Sequence, residues 1–403
     1  MKISSSLKTL TYLTQASLVG SVASYALTIY LAGYLGTEKY GLYSYILAIA
    51  GFSTIIITYA TDQTAPSLVS KGVSLQTIFN NVLSIRLLWF VLIMVILILW
   101  KWNEPVVLFG ALIINLSSFN TSYYHEINRD NTKYAVIYLF ERLLYVLIIV
   151  AVNLVSQVNI VTILLVYFFI VSLSLFVQFW RYRFYIRNYS ISTPKNLWQG
   201  ISSNLPLVII AISTYAYGGL SRLIIEDKIG LSALGIFSSG MQLTVVATIF
   251  LAQIERVWRI PLFDSLEKRN GLLFYKTIKE WLIYSTLPIS IGALFVYLFR
   301  GLIVDLLFGP EYEELKSLLP YISLFFITIS LLSLVNNCWV GLNKYREFLI
   351  ISVVFSLILL FVLYLLPSSI TLNEYIIVIL SVQVSLLAFS VVRIIRHLKI
   401  LNV

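Results

Sequence analysis

Leu35-Gly36-Thr37-Glu38-Lys39-Tyr40-Gly41-Leu42-Tyr43-Ser44 returns, 194 residues further on, as Ile229-Gly230-Leu231-Ser232-Ala233-Leu234-Gly235-Ile236-Phe237-Ser238. Both stretches read apolar residue, Gly, three variable positions, a bulky apolar residue, Gly, aliphatic, aromatic, Ser. Each joins one long apolar run to the next, and the offset is close to half of the 403 residues. Self-similarity at a fixed offset marks an internal duplication. Composition says what is duplicated. Hydrophobic residues make up 59% of the chain and charged residues 11%, against roughly 25% charged in a typical soluble domain. A membrane-spanning helix takes about 20 mostly apolar residues, so twelve would use nearly the whole apolar supply. Too little chain remains for a soluble catalytic domain of ordinary size.

Apolar runs predict spans over 12–34, 41–60, 77–100, 104–124, 134–155 and 160–180 in the first half. The second half repeats the count over 198–221, 231–256, 280–299, 317–340, 347–366 and 374–395. Basic residues orient them, because loops on the cytoplasmic side carry the excess of Lys and Arg. With the N-terminus inside, inner segments hold 20 Lys and Arg and outer segments 6, which places both termini in the cytoplasm. The net charge of +10 is therefore mostly topology rather than a nucleic-acid signal. The basic loop 181–197 divides an N-terminal bundle, 1–190, from a C-terminal bundle, 191–403. Six spans per copy is even, so both copies insert the same way round. The expected fold is an all-α polytopic membrane protein: twelve helices in two parallel-repeat six-helix bundles around a central cavity. The first apolar run lacks a small-residue cleavage site and reads as a retained helix rather than a signal peptide.

Little in the chain resembles chemistry on covalent bonds. Cys338 is the single cysteine and reads as a buried packing thiol, with no disulfide and no metal cluster available to it. The two histidines, His125 and His397, lie on the inner side. No paired carboxylates, nucleophile-base set, P-loop or metal-ligand spacing appears, so no catalytic and no metal residue is assigned. Glu311, Glu313 and Glu314 read as a solvated loop face. Outer loops are short, which argues against a membrane polysaccharide polymerase. Transport is the expected activity, and no cofactor is expected beyond a coupling ion.

Three stretches resemble a known family. Tyr34-Leu35-Gly36-Thr37-Glu38-Lys39-Tyr40-Gly41-Leu42-Tyr43 is similar to the turn after the first helix of polysaccharide flippases. Leu306-Leu307-Phe308-Gly309-Pro310-Glu311-Tyr312 resembles the motif after their ninth helix, and Gly341-Leu342-Asn343-Lys344 their loop between helices 10 and 11. These are the O-antigen and capsule flippases, in the superfamily that also holds multidrug extruders and the lipid II flippase. The resemblance implies export of a polyprenyl-diphosphate-linked oligosaccharide from the inner to the outer leaflet of the bacterial plasma membrane. It further implies alternating access around a cationic cavity, coupling to an H+ or Na+ gradient, and a polysaccharide polymerase and chain-length machinery as partners besides membrane lipids. One departure matters: Ser221 precedes Arg222 where the family commonly has Asp. The rival within the fold is a multidrug or cation antiporter, which an acidic cavity would favour.

Ionisable groups inside a span are costly and are functional candidates by default. Arg86 in the third span, and Glu141 with Arg142 in the fifth, fall near mid-membrane depth. One reading pairs Arg86 with Glu141 and leaves Arg142 facing water; the other turns Arg86 and Arg142 toward a diphosphate, which Arg's planar fork suits. Arg222 and Arg256, at the ends of the seventh and eighth spans, join them as candidate substrate contacts. So do Gln15 and Ser21 on the polar first span and Asn204 on its repeat equivalent. Asp62 and Glu141 are the candidate ion-coupling carboxylates, and Pro206 the candidate hinge.

Overall fold

The computed structural model describes residues 2–70, 72–128 and 130–401, with side chains over 19–69, 72–128, 130, 132–252, 254–255 and 257–398. Every regular element among them is helical. Eleven described segments are long and apolar enough to cross a membrane. The first, Val19–Val69, holds the first two predicted spans run together across Gly36, so the segments account for all twelve. The kink between them has a local cause. Gly36 takes φ 75 and ψ 173, a conformation open to glycine at little steric cost, and the helix resumes at once.

Two compact units result, Met1–Leu27 with Tyr45–Ile212, and Thr28–Ser44 with Ser213–Val403. The changeover falls at Ile212/Ser213 rather than in the 181–197 loop where the sequence places its boundary. The helices up to that point are α1 (Lys2–Thr58), α2 (Thr61–Ser70), α3 (Leu75–Lys101), α4 (Pro105–Leu116) and α5 (Ser122–Ile127). They continue with α6 (Asn131–Val155), α7 (Ile160–Arg181), α8 (Arg183–Arg187) and α9 (Pro194–Tyr215). The start of α9 stays with the first unit because Leu197, Ile201, Val208 and Ile212 pack on Tyr59, Ile85 and Trp89.

Local chemistry sets the helix ends. Ser74 and Asn159 cap α3 and α7 by accepting the N–H of Thr77 and Thr162, which satisfies donors that have no partner in the first turn. Two interruptions lie within the spans. Tyr59 and Ala60 separate α1 from α2 with φ 46 and 54. A 3-10 turn, Ser117–Phe119, followed by non-helical Asn120 and Thr121, separates α4 from α5. At the open end of the α6–α7 hairpin, Asp130 takes Lys133 at 3.2 Å and also pairs with Arg181. Desolvation pushes the Asp130 carboxyl up, but the hydrogen bonds from Lys133 and Arg181 outweigh it and hold it below its ordinary value.

After the changeover a π turn, Ala216–Leu220, leads into α10 (Ser221–Lys228), α11 (Leu231–Glu267) and α12 (Gly271–Trp281). A second π turn, Leu282–Thr286, precedes α13 (Leu287–Leu298), with Pro288 in its first turn, and α14 (Arg300–Leu307). The unit ends with α15 (Leu315–Gly341), α16 (Tyr345–Leu365) and α17 (Leu372–Leu401). Its core holds Trp281 and Trp339 against Leu262, Leu266, Val335 and Cys338. Cys338 is the buried packing thiol its sequence context suggests.

The two copies of the duplicated stretch meet in this second unit. A Cβ on Gly41 would lie 1.9 Å from the carbonyl oxygen of Leu231, and one on Gly235 would lie 1.9 Å from that of Thr37. The contact is reciprocal, copy against copy, and Ser232 Oγ donates to Thr37 Oγ1 at 2.8 Å beside it. The 306–312 motif closes on the same segment. Tyr312 donates its hydroxyl proton to the Ala32 carbonyl at 2.9 Å, and Glu311 Oε2 accepts the Thr37 N–H at 3.3 Å. Glu311 is exposed, as the loop reading expects, and in addition caps the backbone that Gly36 frees. Glu313 pairs with Lys316 at 2.7 Å.

Two outcomes are expected. Gly41→Ala or Gly235→Ala forces two backbones apart, which no rotamer change relieves, at a cost of about 1–3 kcal/mol or more. Thermal melting of the purified variants should show each destabilised, and the double variant less destabilised than the sum, since one separation relieves both clashes. For Asp130, a lowered carboxyl value means its stabilisation is complete at neutral pH and is lost as pH falls through and below the ordinary carboxyl range, about pH 4. Melting temperature measured against pH should fall less steeply there in Asp130→Asn than in the wild type.

Candidate functional site

Breaking a helix inside a bilayer frees N–H and C=O groups that lipid cannot satisfy. In the first unit polar side chains take them. Arg86 lies eleven residues into α3, about 16 Å along the helix axis. Its Nη1 donates to Ser118 O at 2.6 Å and to Asn120 O at 2.8 Å, the carbonyls freed where α4 gives way to α5. Its Nε donates to Thr61 Oγ1 at 3.0 Å and its Nη2 pairs with Asp62 Oδ1 at 2.6 Å, both at the start of α2. The Tyr123 ring covers the guanidinium at 5.2 Å. The side chain is 1% exposed. Gln178 does the same work from α7, accepting both the N–H and the hydroxyl of Thr121 while donating to Ser174 Oγ. Asn204 donates to the Tyr59 carbonyl at 3.1 Å, at the other break.

These placements change several sequence expectations. Arg86 pairs with Asp62 and not with Glu141. The sequence treats Asp62 as the end of a span, whereas the chain bends at Tyr59 and Ala60 and returns Asp62 to the bundle as the first turn of α2. With four of its five N–H groups engaged and its side chain buried, Arg86 offers no free face to a substrate in this structure, and Asn204 is a backbone cap. Asp62 also accepts Ser122 Oγ at 3.3 Å. Arg142 lies under the Tyr138 ring at 5.1 Å, with Gly20 of α1 closely packed against Tyr138 beside it. Its Nε is buried without a hydrogen-bond partner. Among the described residues neither Arg142 nor Glu141 makes a salt bridge. Ser21 is half-buried on α1, and Arg222 is half-buried on α10, its Nε, like that of Arg142, buried without a hydrogen-bond partner. Pro206 lies within α9. The side chains of Gln15 and Arg256 lie outside the described residues.

The second unit holds a pocket that the sequence did not single out, of about 350 Å³. Hydroxyls of Ser213, Tyr217, Thr248 and Ser352 and the amides of Asn336 and Gln383 line it, with Leu251, Leu332 and Leu386 between them. Glu255 is the one carboxylate among the described residues that line it, and its charge is met: Oε2 takes Arg259 at 2.5 Å and Oε1 takes Ser333 Oγ at 2.5 Å. Arg259 in turn donates to Asn337 Oδ1 at 3.0 Å, and Gln383 Oε1 accepts from Thr328 at 3.2 Å. The usable signal was in the sequence: Asn336, Asn337 and Gln383 interrupt runs that are otherwise apolar.

A family model described as polysaccharide biosynthesis protein matches residues 6–267. The chain belongs to this family. The chain is 29% identical over 145 residues to "Lsg locus putative protein 1" of Haemophilus influenzae. That match spans 35% of either chain, about a third of the relative's length. The fold of the chain is similar to that of a multidrug resistance MATE family transporter of the MOP superfamily in an inward-facing conformation, with TM-score 0.68, 15% identity and 95% of each chain covered. It is also similar to a MOP superfamily transporter from Pyrococcus furiosus, with TM-score 0.61, 14% identity, and 98% of this chain and 96% of that one covered. It is a multi-pass membrane protein of the polysaccharide biosynthesis family on the MOP transporter fold.

Arg86→Ala should destabilise the purified protein, because it leaves the Ser118 and Asn120 carbonyls without their donor at about 1–3 kcal/mol each, while Asp62, 35% exposed, is left to water. Arg86→Lys should fall between, keeping the charge but not the fork that spans Ser118 and Asn120. Thermal melting in detergent ranks the three. Equal melting temperatures would show that Arg86 does not hold the helix break.

Proposed function

We propose that this polysaccharide biosynthesis protein is a flippase. It carries an oligosaccharide repeat unit on a polyprenyl diphosphate from the inner to the outer leaflet of the bacterial plasma membrane, for O-antigen, capsule or exopolysaccharide assembly. The observation that carries the reading is the polar character of the second unit's pocket. Hydroxyl and amide side chains both donate and accept, as sugar hydroxyls do, and the apolar residues between them suit the faces of a sugar ring. The single carboxylate is neutralised by Arg259. A neutral pocket recognises a sugar better than a cationic drug, which would leave Glu255 competing between two cations. Family membership supports a polysaccharide-related cargo, and the three motif stretches that resemble flippases support a lipid-linked one.

Further parts of the reading rest on single residues. Arg142, with a buried unpartnered Nε, is the candidate contact for the diphosphate, and Arg222 and Ser21 remain candidates beside it. An H+ or Na+ gradient drives the cycle. Glu141, which carries no salt bridge among the described residues, is a better candidate for coupling than Asp62, which is committed to Arg86. A polymerase and chain-length machinery take up the product on the outer side.

Deleting the gene should leave lipid-linked glycan accumulating on the inner leaflet, and the wild-type chain should clear it. Ser352→Trp, which fills the pocket, should fail to clear it at normal protein level. Unchanged glycan in the deletion strain would refute the reading.

A further inference from the structure

A groove runs down the outer face of the α6–α7 hairpin, and of the candidate residues above it takes only Glu141, deep in its trough. Its rim, a space of about 590 Å³, is lined by Lys133, Arg181 and Arg183 together with Trp180. Below it a space of about 380 Å³ is bounded by Phe140, Leu144, Ile170 and Leu173. Val136, Ile137 and Val177 line both, so rim and trough are one continuous feature. Phe140 and Trp180 are 60% and 61% exposed, so the groove opens outward rather than into the core.

We propose that this groove binds an anionic glycerophospholipid of the leaflet into which its basic rim opens, with the phosphate at the rim and one acyl chain in the trough. Charge complementarity supplies the head. Among the described residues three cations share one carboxylate there, because Asp130 bonds Lys133 and Arg181 while Arg183 lies free of it over the Trp180 ring at 5.0 Å. The excess of two positive charges suits a phosphate, and Trp is a residue of the membrane–water interface. Basic pockets between helices at a membrane surface hold anionic headgroups. Length selects the tail. From Lys133 to Leu144 the trough is about 16 Å deep, half of a hydrocarbon core of roughly 30 Å. That is one leaflet, the reach of an acyl chain and short for a polyprenyl chain. Polarity sets the direction: the polar exceptions in the trough are Glu141 and Ser174, and a carboxyl group at that depth offers nothing to a phosphate.

The same arrangement recurs at the corresponding hairpin of the second unit. There Lys344, Arg346 and Arg393 line a space of about 430 Å³ above Ile350 and Phe389. Glu347, in the first turn of α16, accepts from Arg393 Nε at 2.7 Å and from His397, as Asp130 takes Arg181 in the first unit. A site present in both halves of a duplicated chain belongs to the fold's contact with bulk lipid. A cargo path would not need two copies.

Trp180 reports occupancy directly. Phosphatidylglycerol with brominated acyl chains, added to the purified full chain in detergent, should quench the fluorescence that Trp180→Phe removes. Phosphatidylcholine with the same chains should do so only at much higher concentration. Lys133→Ala/Arg183→Ala leaves the Arg181–Asp130 pair in place. It should weaken the phosphatidylglycerol effect by a factor of about five per basic side chain, roughly 25-fold in all, with melting temperature checking that the variant is folded. Equal quenching by both lipids, or an unchanged preference in the folded double variant, would overturn the proposal. Displacement by inorganic phosphate at equal concentration would overturn it in favour of a free-anion site, and stronger binding of a polyprenyl phosphate in favour of the carrier.

Discussion

Two helices of this protein touch backbone to backbone at Gly41 and Gly235, with no room for a side chain on either. In lipid, helix association gains little from hydrophobic burial, so close approach through small residues and hydrogen bonds has to hold helices together. Here both act at one place. The Leu231 and Thr37 carbonyls sit where a Cβ would be, Ser232 bonds Thr37, and Glu311 and Tyr312 bond the backbone of the same segment from the far side. This explains why α1, kinked at Gly36, belongs to the second unit between Thr28 and Ser44 although the parts before and after belong to the first. Two of the stretches that resemble flippase motifs are therefore partners in one joint. Their residues are structural.

A second constraint follows from the medium. Once a helix breaks inside a bilayer, the protein must supply the hydrogen bonds that water would give elsewhere. Arg86 does so for two carbonyls and one hydroxyl while pairing with Asp62, and Gln178 and Asn204 serve the same breaks. The most costly residue in the first unit thus has a reason to be there that needs no substrate. That moves the candidate charges for cargo and coupling to Arg142 and Glu141, and the polar recognition surface to the second unit's pocket.

Much of the fold was legible because it rests on composition and on period. Apolar run length marks spans, and the spacing of Gly41 and Gly235 marks the duplication whose copies prove to be in contact. The site was less legible, for a physical reason. Asp62 reads as the exposed end of a span, and only the bend at Tyr59 and Ala60 turns it back toward Arg86; neither residue is a glycine, so nothing in the pattern announces positive φ there. Asn204 has the polarity of a pore residue, and its role depends on a carbonyl 145 positions away. Glu255 does not stand out in the sequence because its partners, Ser333 and Arg259, are assigned by packing. Isolated Asn and Gln within apolar runs were the signal, since such groups are retained in lipid where they have partners.

The central claim is movement of a lipid-linked sugar between leaflets. Purified protein reconstituted into sealed vesicles with a fluorescent polyprenyl-diphosphate oligosaccharide tests it directly, with an impermeant quencher reporting the outer leaflet. Our account predicts a protected pool that becomes accessible only in vesicles containing the protein and that shrinks with Ser352→Trp. Exchange at the same rate in protein-free vesicles and in vesicles with the wild-type chain would contradict it.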